Sequence, residues 1–323
     1  MRLRSFFRGA LATALLLLSG CTTAPKTVIT FGGDVILARD GKPIFANVNP
    51  WTKIEGSIRQ QWSGTEDTYF FANLESPINT SGVSTAAVNG YDLCAGNDQL
   101  EIVQEGKINF VNLSNNHKND CGASNDETTT DYVGNEGLDS VGPGLTPVYL
   151  ETDNGTIGVV SAEDVSEPID EVALLQAVTE ARKHCDLLIT AIHWGNEYQQ
   201  GTTNRQEELA QALADAGVDI LWGTHPHVLQ KIDWVRSSKK DHQMLVMYSL
   251  GNLLSDQWMS SQTRQSALIT VTIQNKRFSH LSILPIQIQR STRQLERADK
   301  NATASIEAVL GIDQLNISIP KGD

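Results

Sequence analysis

Short apolar runs alternating with segments of helical periodicity constrain this 323-residue chain more than any other feature, because that alternation points to a layered α/β domain. Runs at Val28–Phe31, Tyr69–Ala72, Ile108–Leu113, Ile157–Ser161, Asp186–Ile192, Ile220–Trp222, Met244–Tyr248, Ala267–Ile273 and Phe278–Gln289 predict strands. Helices are predicted between them. Ile54, Ile58 and Trp62 recur at i, i+4 and i+8, the stretch Val172–Lys183 is apolar-periodic, and Gln206–Ala216 puts Leu209 and Leu213 on one face before Gly217 ends it. The last two runs are long and alternating, as in antiparallel sheet. From Ser291 onward the chain turns polar, with a helix expected at Ser305–Leu310 and a last short strand.

Five of the runs are followed within a few residues by side chains able to bind metal. Asp34 follows the first, Asn73 and Glu75 end the second, and Asn115, Asn116 and His117 follow the third. His193 ends the fifth, and His225 and His227 follow the sixth. Ligands collect at the carboxyl ends of strands in open α/β sheets, where loops leave the sheet and backbone groups are unpaired, so these clusters have a physical reason to converge. Taken singly each has a plain reading: a turn cap for Asp34, a satisfied core histidine for His193, a loop signal for Asn115-Asn116. His225-Pro226-His227 is the least plain, because two imidazoles flanking a proline are costly to bury without a ligand. Four of the seven histidines fall in these post-strand positions, which separate turns and caps do not explain. A mixed Asp/Glu/Asn/His set suits Mn, Fe or Zn, and one or two ions are both allowed. A two-metal centre would lower the pKa of a bridging water and clamp the attacking and leaving oxygens of a phosphoester.

The amino terminus carries Arg2, Arg4 and Arg8, then an apolar run from Ala10 to Leu18 too short for an ordinary span, which is the anatomy of a secretory signal. It ends in Leu18-Ser19-Gly20-Cys21, a lipobox-like sequence, so Cys21 is expected to be the lipidated first residue of the mature chain. Several acyl chains on one cysteine suffice for stable anchoring at about 0.8 kcal/mol per buried methylene. Thr22 is not the aspartate that retains many lipoproteins at the inner membrane, which favours an outer membrane where the cell has one. No later segment is long and apolar enough to span. The net charge is −13, and loss of the three signal arginines leaves 22 basic against 38 acidic residues, or −16, a surface that excludes nucleic acid as partner. A polyanionic substrate would need a locally positive site, which a metal cluster provides. Beyond Cys21 an odd number of cysteines remains. Cys94 and Cys121, both in Gly/Asn/Asp-rich loops, are the candidate disulfide, with three free thiols as the alternative, and Cys185 reads as buried.

Six motifs in order carry a resemblance. Gly33-Asp34-Val35-Ile36-Leu37-Ala38-Arg39, Asn73-Leu74-Glu75-Ser76-Pro77, Asn115-Asn116-His117 with Asp120 and Gly122, His193-Trp194-Gly195-Asn196-Glu197-Tyr198, His225-Pro226-His227-Val228-Leu229-Gln230 and Tyr248-Ser249-Leu250-Gly251-Asn252 resemble the poly-γ-glutamate capsule-synthesis family, CapA type, over roughly Thr27 to Gln289. That family is similar in fold to the calcineurin-like metallophosphoesterases. The resemblance implies an α/β metallophosphatase-like βαββα sandwich of two mixed sheets flanked by helices. It also implies that Asp34, Glu75, Asn116, His193, His225 and His227 correspond to metal ligands, with His117 the general acid beside Asn116 in the catalytic group. Arg39 would contact an anion, being suited to bidentate recognition of phosphate or carboxylate, and Asn73 and Asn115 would meet substrate. The chain departs from the phosphoesterases where they have Asp-x-His, since Asp34-Val35-Ile36 lacks that histidine. Asn73-Leu74-Glu75 and Asn115-Asn116-His117-Lys118 replace two further motifs, departures that the capsule family shares.

The expected organisation is a signal peptide at 1–20, a tether at 21–26 with lipidated Cys21, a domain at 27–290, and an extension at 291–323 that packs on the domain or trails it. The expected function is that of an extracytoplasmic, membrane-anchored hydrolase using divalent metal on a phosphoester or anionic polymer, alongside capsule-synthesis membrane proteins. The alternative is a non-catalytic accessory that binds a polyanion for export or retention.

Overall fold

The computed structural model describes residues 25–65, 67–80, 91–122 and 125–312. The signal sequence and Cys21 lie outside the described residues. No helix among the described residues is long and apolar enough to cross a membrane.

Two mixed sheets face each other. The first is eight-stranded and is built on β1 (Lys26–Val35), β2 (Thr68–Leu74), β3 (Phe110–Asn112) and β4 (Asp139–Val141), which run parallel in that order. The second contains β5 (Val148–Thr152), β6 (Gly155–Glu163), β7 (Leu187–His193), β8 (Ile220–Thr224), β9 (Ile232–Arg236) and β10 (Gln243–Met247), with β6, β7, β8 and β10 parallel and β5 and β9 antiparallel at its edges. The chain then returns to the first sheet. On the side of β1 away from β2, a short parallel strand, β11 (Asn252–Leu254), pairs with the end of β1, and β12 (Gln265–Gln274), β13 (Arg277–Ile288) and β14 (Leu295–Arg297) extend the sheet antiparallel.

Helices cover the outer faces, and the core divides accordingly. Between the sheets lie Ile29, Phe31, Phe71, Phe110, Val159, Ile189 and Trp222. Strand alternation turns Phe70 to the other face, where it packs with Trp51, Ile54 and Ile58 beside α1 (Glu55–Gln61) and with Val103 of α2 (Leu100–Glu105). A further helix, α3 (Asn125–Asn135), lies on the same side. Over the second sheet, Leu174 and Val178 of α4 (Glu171–Ala181) and Leu209 and Leu213 of α5 (Asn204–Ala216) meet Leu188, Ile192 and Leu221. Thr203 and Gln206 form a capping box that starts α5, and Gly217, at φ 98°, ends it. This is the layered α/β domain that the alternation predicts, in the form of the two-sheet sandwich flanked by helices that the resemblance implies.

Each predicted run contains or overlaps a strand, although Ile108–Leu113 is a strand only at Phe110–Asn112 and three other runs pass the strand end by one residue. The edge strands β4, β5 and β9 and the short β11 are additional to the predicted runs, β4 and β11 being three residues long, and α3, with Thr128-Thr129-Thr130 at its centre, has no apolar period. After residue 290 the chain adds β14 and α6 (Lys300–Leu310), whose Ile306 and Leu310 are buried against the inter-sheet core. A strand beyond α6 would fall outside the described residues. Cys94 and Cys121 form a disulfide, their Cα atoms 5.0 Å apart. Cys185, expected to be buried, is only partly so, because it sits just before β7 rather than within it.

Candidate metal centre

Parallel neighbours β1, β2 and β3 end at one rim, as do β6, β7 and β8, and the residues after them meet there. Asp34 stands at the end of β1 in register with Asn73 of β2 on one side and Asn252 of β11 on the other. Gly33 permits this arrangement. A Cβ on Gly33 would lie 1.8 Å from the Gly251 carbonyl oxygen, and the Asp34 N–H donates to that same oxygen at 2.9 Å. Glu75 follows β2, its N–H donating to Val35 O at 3.0 Å. His193 ends β7 level with Thr224 of β8, and the chain then turns through His225-Pro226-His227 with φ of 99° and 56° at the two histidines. Such backbone costs an L-residue on the order of 1–3 kcal/mol and persists only where the surroundings enforce it.

The side chains converge. Asp34, Glu75 and His193 are fully buried and His225 and His227 nearly so. His193 Nε2 lies 2.7 Å from Asn116 Oδ1, 3.1 Å from His225 Nδ1 and 3.5 Å from Glu75 Oε1. His227 Nδ1 lies 3.3 Å from Asp34 Oδ2, and its Nε2 lies 3.7 Å from Glu75 Oε1 and 4.0 Å from Glu197 Oε1. Three groups of donor atoms lie within 4.8 Å of one another: Glu75 with His193 and His225, Asp34 with Glu75 and His227, and Glu197 with His225 and His227. Glu75 is common to the first two.

Both carboxylate oxygens of Glu75 are buried without a hydrogen-bond partner. Leaving such a group unsatisfied costs about 1–3 kcal/mol or more, so an orphan carboxylate among imidazoles is consistent with a place for a divalent cation. Burial pushes the Glu75 carboxyl up against the pull of His227. Burial opposes charge on His227 too, but Glu75 and Asp34 outweigh it and raise its pKa. Burial and the neighbouring imidazoles hold His193 well below the ordinary range and His225 down at about 4, which leaves both neutral, the state a ligand needs.

The structure brings Asp34, Glu75, Asn116, His193, His225 and His227 together, with His117 beside them. Three other expected residues are occupied differently. Asn73 donates to Asp34 Oδ1 at 2.8 Å and accepts from Asn112 at 2.9 Å, while Asn115 donates to Leu74 O at 2.9 Å and accepts the His117 N–H at 3.1 Å. Both amides are buried and spent on the protein, so they brace the centre instead of facing substrate. Arg39 donates to Asp256 through Nε at 3.0 Å and Nη2 at 2.8 Å, a bidentate pair that takes up its fork.

Two residues without an assigned role in the sequence reading belong to the centre. Asn252, at the end of the Ser249–Asn252 turn, places Oδ1 3.1 Å from His227 Nδ1 and donates to the His227 carbonyl at 3.3 Å. Glu197 hangs from a loop held by Gln230, which donates to Gln199 O and Gly201 O, and by the Tyr198 N–H donating to Pro226 O at 2.8 Å. The signal for Glu197 was present as the acid four residues after His193; nothing local showed that the loop folds back over His227.

A family model described as "Bacterial capsule synthesis protein PGA_cap" matches residues 28–257. The chain is 29% identical over 245 residues to a Bacillus subtilis (strain 168) protein named "PGA biosynthesis protein CapA", a match covering 69% of this chain and 62% of that protein, less than two thirds of its length. It is 28% identical to a Bacillus anthracis protein named "Capsule biosynthesis protein CapA", covering 92% of this chain and 74% of that one. Among solved structures, one described as a novel phosphatase from Mycoplasma pneumoniae superposes with a TM-score of 0.53 at 14% identity, over 87% of this chain and 98% of that one, a likeness of fold.

Proposed function

Because the chain belongs to the bacterial capsule synthesis family PGA_cap, we propose that it is a membrane-anchored, extracytoplasmic capsule-biosynthesis protein whose rim cluster is a divalent-metal centre for hydrolysing a phosphoester or anionic-polymer linkage. The observation that carries this reading is the Glu75 carboxylate, buried between His193 and His227 without a hydrogen-bond partner.

Asp34, Glu75, Asn116, His193, His225 and His227 would hold the ion or ions, and Mn, Fe and Zn all suit this donor set. A bound divalent cation there supplies Lewis-acid polarisation of the scissile oxygen and lowers the pKa of water. The remaining work falls to the protein. His117 would give a proton to a leaving oxygen, and Asp120 and Glu75, which outweigh the penalty of burial and raise its pKa, favour the protonated ring. The Glu197–Tyr198 loop lies beside the centre, with the Tyr198 ring 6.0 Å from that of His227.

A polyanion-binding accessory without catalysis is less well supported, because nearby cations are already neutralised. Arg39 is paired with Asp256, and Lys118 Nζ lies 3.3 Å from Glu163. An anion at this rim would therefore be met by metal more than by protein.

The deciding experiment compares residues 22–323 with the His225→Ala/His227→Ala variant. Stoichiometric Mn, Fe or Zn and turnover of bis(p-nitrophenyl) phosphate in the wild type only is the expected result. Equal metal content in both folded proteins removes these histidines from the site, and tight binding of poly-γ-glutamate without turnover supports the accessory reading.

A further inference from the structure

His117 Nδ1 lies 2.7 Å from Asp120 Oδ2, and the same oxygen accepts the backbone N–H of Leu93 at 2.8 Å. Asp120 is carried on a tight turn in which its own N–H donates to His117 O at 2.9 Å and the Gly122 N–H donates to Asn119 O at 2.8 Å. Leu93 comes from a different part of the chain. The two segments are joined covalently at the next residue of each, Cys94 and Cys121. The Leu93 segment is itself fixed: Leu93 is buried, the Cys94 N–H donates to Asp92 Oδ1 at 2.7 Å, the Asp40 N–H donates to Asp92 O at 2.8 Å, and the Ala95 N–H donates to Pro77 O at 2.9 Å.

A carboxylate on a turn, with 21% of its side chain exposed, would otherwise exchange between rotamers and water. Here its second bond and the adjacent cross-link hold one oxygen on His117 Nδ1. An Nδ1–H donated to a fixed carboxylate leaves the Nε2 edge of the ring for the reacting group, and it also sets the plane of the ring. The disulfide therefore lies one residue from each end of the contact that orients the proton donor.

We propose that Asp120 is the positioning residue of His117 and that the Cys94–Cys121 disulfide, with the Leu93 N–H, holds Asp120 in place. The inference rests on the reading of His117 as proton donor, but its structural half can be tested without any substrate.

The test is long-range 1H–15N NMR of the imidazole tautomer in the metal-loaded protein with 15N-labelled histidine, His117 being assigned by its loss in His117→Gln. As proton donor the ring carries a second proton on Nε2, so the spectrum is taken at a pH where that proton has left, and there the wild type is expected to hold the neutral Nδ1–H form. Asp120→Ala and Cys94→Ser/Cys121→Ser should each give a mixture of tautomers, and Asp120→Asn, which keeps an acceptor oxygen, should restore the single form. If the cysteine variant does not fold, the same spectrum is taken on wild type whose disulfide dithiothreitol has reduced to two thiols. On bis(p-nitrophenyl) phosphate, Asp120→Ala should lower kcat about tenfold at unchanged KM, and should lower it no further in the His117→Gln background. A single Nδ1–H tautomer in both Asp120→Ala and the cysteine variant overturns the proposal, as does an equal loss of kcat with and without His117. Wild type that turns over no phosphodiester defeats the hydrolase reading, and the tautomer spectra then decide the positioning claim alone.

Discussion

Glu75 Oε1 stands 3.7 Å from His227 Nε2, inside the protein, and neither oxygen of that carboxylate has a hydrogen-bond partner. A folded chain keeps so costly an arrangement where a ligand repays it. Replacing Glu75 with Gln removes the buried charge and one donor common to two groups. Affinity for Mn or Zn should fall at least about tenfold, while the protein stripped with EDTA should melt no lower than wild type. Metal content by mass spectrometry and thermal melts check both halves. Full metal content together with a lower melting temperature would make Glu75 a structural acid.

Proton competition sets the pH dependence of loading. The His227 pKa is raised above the usual value of about 6.5, since Glu75 and Asp34 outweigh burial, so the metal-free protein holds a proton there at neutral pH. A cation must displace it. Affinity should therefore rise with pH through the neutral range, and titration calorimetry in two buffers of different ionisation enthalpy should show about one proton released per ion near pH 7. An affinity independent of pH between 6 and 8 would place the ion elsewhere.

Gly33 carries the close approach of the Leu250–Gly251 backbone to β1. Gly33→Ala sets a Cβ 1.8 Å from a carbonyl oxygen that cannot retreat without breaking the Asp34 N–H bond. The variant should lose on the order of 3 kcal/mol of stability or fail to fold, whereas Gly56→Ala, with open space around it, should melt near wild type. Similar denaturation midpoints for the two would disprove the constraint.

Cys21 is the residue on which the proposed anchoring depends. If acyl chains on Cys21 hold the protein at the membrane, the full chain expressed with Cys21→Ala should move from the membrane fraction to the soluble extracytoplasmic fraction. Membrane retention of that variant would require another attachment. Recovery of a Thr22–Asp323 form from the aqueous phase of a detergent partition gives an independent check.

The alternation of strands and helices, the order of the polar clusters and the family were legible in the residues alone, because strand pattern, strand end and motif are local properties. Asp34, Glu75, His193, His225 and His227 could be named since each directly follows or ends an apolar run, and parallel strands deliver such residues to one rim. What each polar atom touches was not local. Asp34 and the His225 N–H that it accepts are 191 residues apart, and Arg39 finds Asp256 across 217. Sheet register and loop closure, fixed by burial of both sheet faces, turned Asn73 and Asn115 inward, occupied Arg39, and brought Asn252, Glu197 and Asp120 to the centre. The sequence by itself determined which chemistry is available at the rim. Only the tertiary structure decided which of those groups remain free to perform it, since a hydrogen bond belongs to whichever partner the packed core places within about 3 Å.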